Sequence, residues 1–137
     1  MVEKDLYAFL RTIEKRERIE SQLKLLNAKI NAPPSANSRS YGTQLPGEWL
    51  TSAIEKRDKL LNTYQETLSK ENEKYFWLLD VADELDNDKE RKLFWLLYHD
   101  GKSMAEASIK LNYSLVWCYN ARKNILSKVA KIDNLKR

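Results

Sequence analysis

Residues 101–129, GKSMAEASIKLNYSLVWCYNARKNILSKV, decide how this chain folds. Ser103 stands just before an apolar-periodic run, and Glu106 follows three residues later. This is the capping-box spacing, in which each side chain satisfies an orphan backbone donor of a first helical turn. The helix it opens places Met104, Ala107 and Leu111 on one face. Small Ala107 and Ser108 leave room for a second helix to cross closely. Asn112 is the natural turn residue, because Asn tolerates the left-handed conformation. Tyr113 is expected to pack under the turn, and Ser114 to cap a second helix. In that helix Cys118, Ala121, Ile125 and Val129 recur at spacings of three and four, which defines a buried stripe.

Two short helices joined by a tight turn form the layout of a helix-turn-helix, whose second helix enters the major groove of DNA. The face opposite the stripe carries Val116, Trp117, Tyr119, Asn120, Lys123 and Asn124, with Arg122 at the edge of the stripe. The same spacing also fits two helices of an ordinary bundle. Charge weighs on the DNA side. Residues 99–137 hold eight Lys or Arg and three Asp or Glu, a net of +5. Residues 1–98 hold sixteen and seventeen, a net of −1. A surplus confined to one end of the chain is the electrostatic footprint of a phosphate-binding surface, although a solvated basic face has the same composition.

Residues 89–129, from KERKLFWLLYHDG through the Ser103–Glu106 helix and Leu111-Asn112-Tyr113-Ser114 to Ile125-Leu126, resemble region 4 of bacterial sigma factors. The whole chain is similar to small phage-encoded proteins that join a long helical part to such a module, among them transcription regulators of the ArpU and RinA type. The resemblance implies that the helix from Ser114 reads a promoter element, with Leu115, Val116, Tyr119 and Asn120 at its base-reading positions. The family places mostly charged or amide residues there, so this chain departs from the pattern. That departure argues against recognition of the ordinary host promoter element. Asn120 can pair bidentately with adenine, and Leu115 or Val116 can touch a thymine methyl. Arg122, Lys123 and Lys128 suit phosphates, which position a protein without reading sequence. Trp117 suits either a phosphate-side anchor through its indole donor or packing against the preceding helix.

Composition excludes other classes. With 32% charged and 42% hydrophobic residues the chain is globular or coiled-coil-like. A single cysteine, Cys118, excludes an intramolecular disulfide and fits a reducing cytoplasm. It lies on the apolar stripe and reads as a buried structural thiol. No apolar run reaches the length of a membrane span, and MVEKDLYAFL lacks a signal-peptide pattern. The lone histidine, His99, rules out His-based metal clusters and Cys/His dyads, and it reads as a helix-end residue. Three glycines build no phosphate-cradling loop. No enzyme activity and no cofactor are expected.

The remaining chain divides at residues 32–47, APPSANSRSYGTQLPG, a loop holding all three prolines. On either side the sequence is rich in Leu, Lys and Glu, which favour helix. Val2, Leu6, Phe9 and Ile13, then Ile19, Leu23, Leu26 and Ile30, form one narrow seam. Leu50, Ile54, Arg57, Leu61, Tyr64, Leu68 and Tyr75 form another. Such seams are of the coiled-coil kind and suggest an antiparallel hairpin. Residues 75–85, YFWLLDVADEL, are densely apolar and are expected to start the next module with Phe76, Leu79 and Leu85 inward. Asn87 and Glu90 repeat the capping-box spacing before a helix whose Leu93, Phe94, Leu96 and Leu97 complete a core. A break of the preceding helix near Ser69 to Glu73 is left open by the sequence.

The expected architecture is all-α: a helical hairpin over 1–72, then a helix-turn-helix domain over 73–137. The expected function is sequence-specific binding of double-stranded DNA by a phage or prophage regulator in a bacterial cytoplasm. A homo-oligomer is expected, since a two-helix hairpin buries little surface alone, and contact with host RNA polymerase is a further possible partnership. Rival readings are a phage packaging protein like a small terminase subunit, and a polymerase-binding protein that never touches DNA.

Overall fold

The computed structural model describes residues 2–31 and 46–136, and every regular element among them is helical. The helices are α1 (Val2–Leu6), α2 (Ala8–Ile30), α3 (Pro46–Glu84), α4 (Asp88–Tyr98), α5 (Met104–Leu111) and α6 (Leu115–Lys136). Residues 32–45 of the expected loop lie outside the described residues. Pro46 is the first residue of α3, where its missing N–H costs nothing. α3 then runs unbroken through Ser69 to Glu73, since no Gly or Pro interrupts good helix formers between Glu48 and Glu84. No helix among the described residues is long and apolar enough to cross a membrane.

The chain packs as two compact units. One comprises residues 14–69. The other joins the residues up to Ile13 with those from Lys70 onward. The boundary expected at residue 72 is therefore corrected: residues 2–13, read as part of the hairpin, belong to the core of the C-terminal unit. Leu6 is 0% and Phe9 5% exposed, and both cluster with Leu78, Leu85, Tyr98 and Ile125. A seam of period 3.6 says that a helix buries one face but not against what. The aromatic-rich core takes these residues.

In the unit of residues 14–69, Ile19 and Leu23 of α2 and Ala53 and Thr67 of α3 are buried. The seam expected along α3 is partly misplaced. Leu50 and Leu61 are 40% and 41% exposed, while Ile54, Arg57, Tyr64 and Leu68 are half-buried. Small Ala53 and Thr67 hold the inner line, and the Thr67 hydroxyl is satisfied by the Thr63 carbonyl at 2.7 Å. Glu20 takes hydrogen bonds from Arg16 at 2.7 Å and from the Tyr64 hydroxyl at 3.0 Å. The Arg16 bond, then the Tyr64 bond, hold its carboxyl below the ordinary value of 4.5. A carboxyl with a depressed pKa contributes stability that is full above its unfolded value and lost as pH falls through its folded one. Glu20→Gln is therefore expected to flatten the acid arm of hairpin stability below about pH 4.5 and leave the slope at neutral pH alone. Thermal melts of both proteins across that range measure it, and parallel acid arms would discount the contact.

In the other unit, Leu78, Val81 and Ala82 at the end of α3 and Leu85 just after it are buried, as are Leu93, Phe94, Leu97 and Tyr98 of α4. Phe76 was expected inward but is 62% exposed, and Leu79 is half-buried. The reason lies on α3 itself. Phe76 precedes Asp80 and Asp83 by four and seven residues, so it shares their solvent face. His99 caps α4 and lies flat between Trp95, at 4.2 Å between ring centroids, and Phe9, at 5.3 Å. Its Nδ1 is 2.7 Å from the Asp100 carboxylate. Gly101 then turns the chain with φ of +70°, and a Cβ there would stand 3.5 Å from a Leu10 methyl.

Candidate nucleic-acid interface

Local chemistry builds the α5–turn–α6 segment. The Ser103 hydroxyl accepts from the Glu106 N–H at 3.2 Å, and the Glu106 carboxylate accepts from the Ser103 N–H at 3.4 Å, completing the box. α5 ends at Asn112, which is left-handed at φ 60° and ψ 41°. The Asn112 N–H reaches the Ile109 carbonyl and the Tyr113 N–H reaches the Ser108 carbonyl, both at 3.2 Å. This pair of bonds is the Schellman closure of a helix. The Ser108 hydroxyl donates to the Tyr113 carbonyl at 2.6 Å, which ties the turn down a third time. Ser114 caps α6 by accepting from the Trp117 N–H at 3.1 Å.

The stripe of α6 is buried as its spacing predicts: Cys118 and Ile125 are 0% exposed, Val129 1% and Ala121 5%. Burial pushes the Cys118 thiol above its ordinary pKa, with the Ser108 hydroxyl opposing more weakly. At about 100° per residue, Val116, Asn120, Lys123 and Ser127 fall opposite this stripe. Val116 is 69% exposed, and Asn120 and Lys123 are exposed beside it. Leu115 and Tyr119, 43% and 44% exposed, border the face.

Trp117 and Lys128 of the sequence reading are placed differently, while Arg122 stands at the edge of the stripe as expected. Trp117 and Lys128 fall on one flank of α6 and Arg122 on the other, so none points out with the central face. Trp117 is half-buried and packs on Tyr113, with centroids 4.5 Å apart. Lys128 donates to the carboxylate of Glu90 at 2.7 Å, and Glu90 is only 6% exposed. Lys128 thus ties α6 to α4. This also answers for the second box: Asn87 caps α4 through the Lys89 and Glu90 N–H groups, while the Glu90 side chain turns to Lys128. The Arg122 guanidinium lies 5.4 Å from the Tyr119 ring centre, and its Nε is buried with no acceptor.

The Tyr98 hydroxyl is likewise buried and makes no hydrogen bond of good geometry, although the Glu3 carboxylate is close enough to interact with it. Burial, helped by Tyr7 and Glu3 and opposed by Arg122, holds this phenol far above its ordinary pKa. A buried hydroxyl without a good hydrogen bond is a cost, so Tyr98→Phe is expected to be neutral or to stabilise by up to about 1 kcal/mol. Denaturant unfolding measures it, and a loss of more than about 1 kcal/mol would mean the hydroxyl is bonded in solution.

Two exposed residues escaped the sequence reading. Lys89 of α4 holds its ammonium 5.3 Å over the Tyr113 ring, beside Trp117 and the cap of α6. Ile109 of α5 is 81% exposed. No local signal marks Lys89, because the ring it covers is 24 positions away. The exposed side of the first turns of α6 therefore carries Leu115, Val116, Tyr119, Asn120 and Lys123, with Lys89 and Lys110 as further exposed cations of this unit. No family model, curated protein or solved structure matches the chain.

Proposed function

We propose that this chain is a sequence-specific DNA-binding protein that regulates phage or prophage transcription, with the N-terminal half of α6 lying in the major groove. The observation that carries the reading is the solvent face of Val116, Asn120 and Lys123, set opposite a buried stripe on a helix held by its Ser114 cap and the left-handed turn at Asn112. A helix can read base edges only if it is rigidly seated and its outer face is bare. The basic surplus of residues 99–137 and the resemblance to sigma region 4 support the same reading. The proposal includes a cytoplasmic location, no catalytic activity, and a homo-oligomer that presents two modules to paired half-sites. Exposed Leu25, Leu50 and Leu61 on the hairpin, 66%, 40% and 41%, support self-association. Light scattering that returns a monomer at micromolar concentration would remove that element.

The test is selection of fragments of the source genome by the purified protein at roughly physiological salt, which sets the non-specific background. Enrichment of a few intergenic sites is expected. Asn120→Ala should then relax discrimination at one base pair by about 1–3 kcal/mol. Lys123→Ala should weaken all duplexes alike and lower the salt slope by about one. Equal effects of both variants on every sequence would remove the base-reading claim. A second reading, contact with RNA polymerase, draws on exposed Ile109 and Val116, since apolar surface residues often mark protein contacts. Salt-insensitive capture of polymerase without DNA affinity would favour it.

A further inference from the structure

Resting on the DNA-binding reading, we infer that the target is a thymine-rich major-groove site read chiefly through thymine methyl groups. The four outward positions of the first two turns of α6 are Leu115, Val116, Tyr119 and Asn120. None carries a charge. Guanine offers two acceptors in the major groove and is read best by Arg or Lys, while cytosine offers a donor and is read by Asp or Glu. These two turns supply neither partner, and Lys123, on the same side one turn further along, is assigned to phosphate. Arg122, the only guanidinium in these turns, lies on a flank over Tyr119 with its Nε buried. A G·C pair against Leu115 and Val116 would leave desolvated base polar groups unpaired. Thymine alone presents a methyl group there, and adenine presents the donor–acceptor pair that Asn120 matches.

What covers this apolar face is indicated by the charge around it. Lys110 before the turn, and Lys123 and Lys131 further along α6, are exposed and make no ion pair among the described residues. Lys89 covers the Tyr113 ring beside the α6 cap. The acidic residue of α5, Glu106, is turned back into its own cap, within 3.9 Å of Lys102. An apolar centre flanked by exposed cations complements a polyanion that carries methyl groups in its groove.

The experiment uses the full chain and two random 20-base-pair duplex libraries, one containing thymine and one containing uracil in its place. Selection from the thymine library is expected to enrich sites with adjacent thymines opposite adenines. Rebuilding the best site with uracil should weaken binding about fourfold for each central methyl removed, from about 0.8 kcal/mol per buried methylene-sized group. Placing 5-methylcytosine in a matched G·C variant should recover part of that loss. Val116→Ala should shrink the thymine–uracil difference, while Lys123→Ala should weaken both duplexes equally and keep it. Equal affinity for the thymine and uracil forms of the enriched site, or enrichment of G·C-rich sites, would overturn methyl reading and leave DNA binding standing. Retention of neither library even at low salt would overturn both.

Discussion

Removing residues 1–13 is expected to unfold the unit built from residues 70–137, although those thirteen residues lie far from it in sequence. Leu6 is fully buried and Phe9 5% exposed in that core. Tyr7 sets its ring edge against Tyr98 at 5.1 Å, and Leu10 packs against the Gly101 turn. Each fully buried Leu or Phe side chain contributes about 1.5–3 kcal/mol. Domains of this size hold only about 5–15 kcal/mol in all. The loss is therefore comparable to the whole stability. The milder variant Leu6→Ala should cost about 2–5 kcal/mol through the cavity it leaves. Denaturant unfolding followed by near-UV circular dichroism measures both. Cys118 gives an independent readout, because it is 0% exposed and burial raises its thiol pKa. Its reaction with a thiol reagent should be slow in the intact protein and fast after truncation. A truncated chain that melts like the intact one would show that α1 and the start of α2 decorate the core without completing it.

The second large effect concerns Lys128. Lys128→Met is expected to destabilise the fold by about 1–3 kcal/mol while leaving the salt slope of DNA binding unchanged. Its ammonium is 2.7 Å from a Glu90 carboxylate whose side chain is 8% exposed. Removing one partner of a buried pair strands the other charge, at a cost of about 3–5 kcal/mol when both are buried. The Lys128 side chain is 44% exposed, which lowers the figure because water screens that end. Glu90→Gln combined with Lys128→Met should recover most of the loss, since no stranded charge remains. A double-mutant cycle on unfolding free energy checks the coupling. A drop in the salt slope of DNA binding for Lys128→Met, with stability intact, would return Lys128 to the phosphate contacts.

These two cases separate what is local from what is not. The α5–turn–α6 segment was legible because its signals act over at most six residues. Ser103 and Glu106, Asn112, Ser114 and the stripe from Cys118 to Val129 stand where spacing puts them. The central face of Val116, Asn120 and Lys123 follows from the stripe by helical geometry alone. The packing partners of Trp117, Arg122 and Lys128 did not follow, because flank residues of a helix go to whichever neighbour the tertiary packing supplies.

By itself, then, the sequence determined that the protein is helical, where its turn and caps fall, and which stripe of α6 is buried, since all of these are decided by backbone hydrogen bonding and side-chain spacing within one or two turns. Only the tertiary structure decided that residues 2–13 complete a distant core, that Phe76 faces water while Leu78 does not, and that Glu90 claims Lys128 across 38 positions. Periodicity specifies that a helix has an inner face; which surface meets that face is chosen by the area and charge it can satisfy once the chain has closed on itself.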